Sequence, residues 1–306
     1  SQSRARYEYY DYVYGDKIGA QLVALPNDKL KWQRNMDYNL GVDVTLKRFL
    51  TLRADYYIQR TDDLLSNISL PPSTGFLTYT ENLGKIENRG YELAVSVTPW
   101  RDDERQAYVT LSATALHNKN KIKKIYDIFK NSNDEQNSSL DGSYDYNDGQ
   151  PGDTEVLEKY LNKFTKPATL YYEGCSMTAI WGVRSLGIDP ATGQEMFLTK
   201  DGRSTYTWSS ADQVVIGDTS PKMSGTLNLN AGYKGFTFSA SCSYKFGGDL
   251  YNSELVARME NINGQSNLDR RLFKAWQKVG DVAPYKVTVI SSGSTNYTKP
   301  TSRFVQ

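Results

Sequence analysis

The residues that could do chemistry in this chain are few and scattered. His117 is the only histidine among 306 residues, standing beside Asn118 and Lys119 with no metal-ligand spacing and no nucleophile–base arrangement around it. It reads as a solvated histidine. Acidic residues alternate from Asp141 to Asp153, but an EF-hand loop needs Gly at position six and Glu at position twelve. Counted from Asp141 these positions hold Tyr146 and Gly152, so the stretch reads as a solvated, flexible loop.

Cys175 and Cys242 are too few for a disulfide framework, and neither a Walker-type loop nor a dinucleotide fingerprint occurs. What remains is aromatic. Tyr144, Tyr146, Tyr206 and Trp208 lie in polar loops, where their ring faces could stack on sugar rings. These four are the candidate ligand-binding residues, and the sequence implies no catalytic residue, no metal and no cofactor.

The elements that position those loops follow from alternation. From Phe236 to Phe246 every even position is apolar or aromatic and every odd one is polar, the period of a β-strand with one oily and one wet face. The pattern returns in Leu40 to Leu46, Leu50 to Ile58, Tyr91 to Val97, Ala107 to Ala115 and Leu227 to Tyr233, and a further strand is expected from Arg4 to Tyr14. Six strands of one design make a sheet. Cys242 falls on the apolar face and reads as a small buried or lipid-facing hydrophobe.

Charge is segregated by face: Asp43, Arg53, Asp55 and Glu92 share the polar side. Arg or Lys facing mid-bilayer lipid costs roughly 2 to 4 kcal/mol, so these charges stand where a water-filled lumen would accept them. Connection lengths also alternate, with short turns at Lys47 to Phe49, Thr98 to Gln106 and Tyr233 to Phe236, and long links after Arg60, His117 and Gly247. Outer-membrane barrels combine short periplasmic turns with long extracellular loops and aromatic girdles. Phe49, Trp100, Tyr233 and Phe236 sit beside the short turns, as an inner girdle requires.

A mean hydropathy of -0.60 is compatible with this, because half of each barrel strand faces water. There is no apolar run of about 20 residues that would mark a spanning helix. With 36 Lys and Arg against 35 Asp and Glu, no bulk attraction to nucleic acid is implied. In the long links, Val156, Leu157, Tyr160, Leu161 and Phe164 recur at helical spacing behind Asp153 and before Pro167, and Leu268, Leu272, Trp276 and Val279 do the same. Each set predicts a short amphipathic helix on an outer loop.

Several stretches resemble, in order, the C-terminal barrel region of the SusC/RagA family of TonB-dependent outer-membrane transporters from Bacteroidetes. They are Leu30 to Gln33 with Asn39 to Asp43, Asp55 to Tyr57 with Thr61 to Leu65, Leu70-Pro71 with Gly75-Phe76, and Asn82 to Glu92. Further on come Glu173-Gly174, Trp181, Leu186 to Gly193, Ile216 to Lys222, Tyr233 to Phe236 and Tyr244 to Asn252. The resemblance implies an all-β chain, residues 1–306 forming part of a transmembrane antiparallel barrel of about 22 strands, with long extracellular loops carrying short helices. It further implies a bacterial outer-membrane location, import of oligosaccharides or peptides, a SusD-like surface lipoprotein as lid, contact with membrane lipid, and coupling to TonB through a part not contained here. Plug domain and final strands are absent from this stretch, which is therefore read as an internal piece. Two other readings stand beside it: a soluble secreted β-sandwich that binds glycans or adheres to surfaces, and a β-rich hydrolase whose paired carboxylates one sequence cannot assign.

Overall fold

The computed structural model describes residues 4, 6–14, 17–69, 74–76, 78–141, 165–262, 267–287 and 298–306. They fall into two compact units, one of residues 1–132, 171–177 and 223–244 and the other of 133–170, 178–222 and 245–306.

In the first unit a hairpin pairs β1 (Arg6–Tyr14) with β2 (Lys17–Ala24). The main sheet is built from β3 (Arg34–Leu46), β4 (Leu50–Asp62), β7 (Gly84–Asp102), β8 (Ala107–Ile125), β14 (Met223–Tyr233) and β15 (Phe236–Phe246). These are the six alternating segments of the sequence. They run antiparallel in the order β15-β14-β8-β7-β4-β3. A small hairpin of β5 (Leu65–Ser69) and β6 (Thr78–Asn82) follows β4.

All three short turns lie at one end of this sheet. Lys234 and Gly235 form the two-residue link between β14 and β15, both with positive φ, 46° and 89°; this is the mirror-image turn that matches strand twist. Lys47 and Gln106, with φ of 49° and 48°, do the same work in the other two hairpins. At the opposite end β8 runs on to Ile125 and passes into α1 (Asp127–Asp141). The long link expected after His117 is therefore strand and helix up to Asp141, because the strand continues past the point where its apolar alternation stops. Under that end Leu83, Ile86, Ile122, Ile125 and Phe129 form a buried cluster.

The second unit pairs β9 (Ala179–Gly182) with β13 (Val214–Asp218). Beside these strands, β10 (Arg184–Ile188), β11 (Glu195–Leu198) and β12 (Ser204–Thr205) form a three-stranded sheet. A short helix, α2 (Ser253–Met259), packs Val256 against Ile180, Tyr251 and Phe304. The final residues are tied in by backbone bonds: Ser302 N donates to the Val183 carbonyl at 3.0 Å, and Leu250 and Gln306 exchange bonds of 2.8 and 2.9 Å.

The helix expected on Leu268, Leu272, Trp276 and Val279 is not formed. Only Arg270–Lys274 makes a tight 3-10 turn; Leu268 and Val279 are exposed, and Trp276 is held outside the turn by a bond to the Pro190 carbonyl. The helix expected on Val156 to Phe164 lies outside the described residues.

Candidate functional site

The register of the main sheet sorts its side chains into two unlike faces. Rungs on one face, read away from the short turns, are Leu50/Val97/Leu111, Leu52/Val95/Ala113 and Ala54/Leu93/Ala115, and then Tyr56/Tyr91/His117. Leu46, Val44, Val42 and Leu40 continue the first four rungs on β3. This face is left uncovered: Leu40 is 74% exposed, Val42 57% and Phe238 59%. Cys242 is exposed on it as well, so of its two readings the buried one falls. Phe49, Trp100, Tyr233 and Phe236 are exposed beside the short turns. From the Leu50 rung to the Tyr56 rung is about 20 Å along the strand at roughly 3.3 Å per residue, or about 15 Å of height at a tilt near 40°. The exposed aromatics beside the short turns extend it toward the apolar band, about 25 Å tall, of an outer-membrane barrel.

The other face is a lattice of polar bonds. Arg53 Nε donates to Asp43 Oδ1 at 2.8 Å, Ser239 to Asn230 at 2.8 Å, and Asn120 to Asn88 at 2.7 Å; Ser96 and Ser112 are 3.0 Å apart. Tyr57 crosses β7 over Gly90, where a side chain would collide with its ring, and its hydroxyl donates to Asn118 Oδ1 at 3.1 Å. On this face Arg53 is paired with Asp43, while Asp55 and Glu92 stand opposite each other on neighbouring strands.

His117 stacks on Tyr91 with ring centroids 5.0 Å apart on the opposite face, at the margin of the apolar band. Among the described residues no cluster of His, Cys, Asp and Glu could hold a metal.

Of the four candidate aromatics, Tyr144 and Tyr146 lie outside the described residues. Tyr206 is half exposed and donates its hydroxyl to Asp189 Oδ2 at 2.8 Å. The Asp189 carboxylate also accepts from the Ala191 amide and the Thr192 hydroxyl. Those bonds, the Ala191 amide first, hold Asp189 below its ordinary pKa; its carboxylate in turn pushes the Tyr206 phenol up. Trp208 is anchored elsewhere. Its indole N–H donates to the Pro300 carbonyl at 3.0 Å, and Lys299 Nζ stands 5.0 Å from its ring.

Trp276, read from sequence as part of a helix, is instead the second aromatic on the Asp189 turn. It lies against Gly193, and its N–H donates to the Pro190 carbonyl at 3.0 Å.

Sequence reading also missed a buried ion cluster that ties residues 298–306 into the second unit. Arg303 donates to both oxygens of Glu195 at 3.0 and 2.8 Å, to Glu260 Oε2 at 2.7 Å and to the Pro284 carbonyl at 2.8 Å. Thr301 caps Glu195 and Thr298 caps Glu260. Burial works to raise the Glu260 pKa, but the bonds and charge of Arg303 outweigh it, so the carboxyl is held below its ordinary value. Among the described residues no helix is long and apolar enough to cross a membrane, which says nothing of strands.

A strand wall with an exposed apolar band, aromatic margins and a polar reverse face belongs to a membrane β-barrel, and the comparisons with known proteins agree. Residues 4–254 match the family described as TonB dependent receptor-like, beta-barrel. TonB-dependent receptor P39 of Formosa agariphila is 26% identical over 304 residues, covering 92% of this chain and 28% of that protein. TonB-dependent receptor SusC of Bacteroides thetaiotaomicron is 34% identical over 95 residues, 30% of this chain and 10% of SusC. Among solved structures, the RagAB peptide transporter superposes with a TM-score of 0.67 at 18% identity, over 99% of this chain and 30% of that one.

The chain belongs to the TonB-dependent receptor β-barrel family, whose members are outer-membrane proteins and not enzymes. It spans less than a third of the length of P39. Among the described residues of the first unit no second sheet packs on the exposed apolar face, which a soluble sandwich would cover.

Proposed function

We propose that residues 1–306 form part of the barrel wall and extracellular loops of a TonB-dependent importer for oligosaccharides or peptides. A SusD-like surface lipoprotein would close its mouth, and TonB would act through the part of the protein not contained in this chain. The observation that carries this is the division of the six-stranded sheet into an apolar face with aromatic margins and a polar face crossed by side-chain hydrogen bonds. Support for a peptide cargo comes from the fold likeness to the RagAB peptide transporter, and the oligosaccharide alternative is what the resemblance to the SusC/RagA family implies. On the loop side, Tyr206 on the Asp189 turn and Trp208 supply aromatic groups suited to a sugar ring or a peptide side chain; Tyr144 and Tyr146 join them as candidates from the sequence alone.

The test is import by the intact parent protein in its own envelope. Deleting the gene or depleting TonB abolishes uptake of a glycan or peptide pool, and Tyr206→Ala or Trp208→Ala weakens capture without loss of outer-membrane protein. Release of the parent from membranes by alkaline wash without detergent, or uptake unchanged by deletion, refutes the proposal.

A further inference from the structure

The apolar face of the main sheet does not end in neutral residues. Beyond the Tyr56/Tyr91/His117 row the same face continues as Ile58/Arg89/Lys119 and Arg60/Glu87/Lys121. Glu87 is almost fully buried because three cations close on it: Arg60 Nε at 2.9 Å, Arg89 Nε at 2.7 Å and Lys123 Nζ at 3.0 Å. One carboxylate cannot balance three cations, and Lys119 and Lys121 add two more, both exposed. The next rung is self-compensated, with Lys85 Nζ 3.2 Å from Asp62, and Arg34 within 4.0 Å of Asp62 and Asp63. Glu173, near this end of β8, is engaged by the Ile125 amide. A net positive belt therefore sits directly above the apolar band, on its outward side and at the end away from the short turns.

We propose that this belt binds the phosphate groups of an anionic lipid headgroup in the outer leaflet around the barrel. The proposal rests on the membrane-wall reading above, which fixes the belt at the height of the headgroups: the aromatic row marks the interface, and the cations begin one rung beyond it. Charge complementarity and continuity with the lipid-facing band both point to a lipid and not to a soluble anion. Acyl chains would lie along Leu93, Val95 and Ala113 while the phosphates meet Arg89, Lys119 and Lys121. Arg supplies the forked donors that match phosphate oxygens, and Lys supplies point charge.

The experiment uses the full-length parent protein, purified in detergent and titrated by native mass spectrometry with bis-phosphorylated lipid A, with the same lipid dephosphorylated, and with inorganic phosphate. Lys119→Gln with Lys121→Gln leaves the three partners of Glu87 in place, so the sheet is kept. That pair lowers affinity for the phosphorylated lipid by roughly tenfold or more, the scale expected for two basic residues at an anionic lipid surface. Arg48→Gln with Lys234→Gln, at the short-turn end, changes nothing, and the dephosphorylated lipid binds no better than the double variant binds the intact one. Equal affinity for both lipids, an unaltered Lys119/Lys121 variant, or displacement by excess inorganic phosphate overturns the proposal. If the parent leaves membranes on alkaline washing, the wall reading itself fails. If it stays embedded and shows no phosphate dependence, only the belt does.

Discussion

Arg303→Leu should loosen residues 298–306 from the rest of the second unit to which they belong. The guanidinium makes four hydrogen bonds, to Glu195, Glu260 and the Pro284 carbonyl, and the side chains of the two carboxylates are only 5% and 0% exposed. Leucine fills part of the space but leaves the carboxylates only hydroxyl and amide hydrogen bonds, Thr301 for Glu195 and Thr298 with the Lys286 amide for Glu260, and the Lys286 ammonium as the remaining nearby cation. Removing one side of a buried ion pair costs about 3 to 5 kcal/mol, because the remaining charge stays desolvated. At about 1.4 kcal/mol per tenfold, the opening equilibrium of this segment rises roughly a hundredfold to a few thousandfold. Hydrogen exchange read by mass spectrometry on the full-length protein reports it directly, at the Ser302 and Gln306 amides bonded to Val183 and Leu250. Arg303→Lys keeps the charge but loses the fork, and falls between. Exchange within about tenfold of the unaltered protein in Arg303→Leu would refute the reasoning.

The same cluster sets an acid limit. Because the folded-state pKa of Glu260 lies below the ordinary 4.5, its contribution is complete above that value and is lost as pH falls below it; exchange protection of residues 298–306 should be flat from pH 7 to about 5 and then decline. Gly90→Ala places a methyl against the His117 carbonyl and 2.5 Å from the Tyr57 ring. It should lower the unfolding temperature of the barrel at a cost of about 1 to 3 kcal/mol, whereas Tyr57→Leu with Gly90→Ala restores part of it. Leu93→Arg puts a guanidinium on the apolar band at a cost of roughly 2 to 4 kcal/mol and should reduce outer-membrane yield. Ala94→Arg, on the face of Asp55 and Glu92, should be tolerated. Trp276→Ala should loosen the Asp189 turn, and with it any ligand capture that depends on Tyr206, without changing the amount of protein in the membrane.

What was legible in the sequence was whatever period and turn chemistry control. Phe236 to Phe246 is a strand over those residues, and all six alternating segments are neighbours in one sheet. Strands β7 and β8 were read short for a physical reason. Their outward residues become charged beyond Tyr91 and His117, so apolar alternation stops while the backbone ladder continues through Lys85 and Lys124. The spacing from Leu268 to Val279 mimicked a helix, but its outer positions are exposed and Trp276 is drawn to a turn more than eighty residues earlier. Glu195, Glu260 and Arg303 carry no local signal, since their meeting depends on chain closure over more than forty and more than a hundred residues. Tyr206 and Trp208 were adjacent candidates in sequence, yet their anchors, Asp189 and Pro300, belong to different segments.

The central claim is that one face of the main sheet meets lipid and the other meets water. Spin labels placed one at a time at positions 91 to 98 of the full-length protein in bilayers, with Cys175 and Cys242 replaced, test it by relative access to oxygen and to a water-soluble nickel complex. The account requires oxygen-dominated relaxation at 93, 95 and 97 and nickel-dominated relaxation at 92, 94 and 96. Equal access at neighbouring positions, or the opposite alternation, would contradict it.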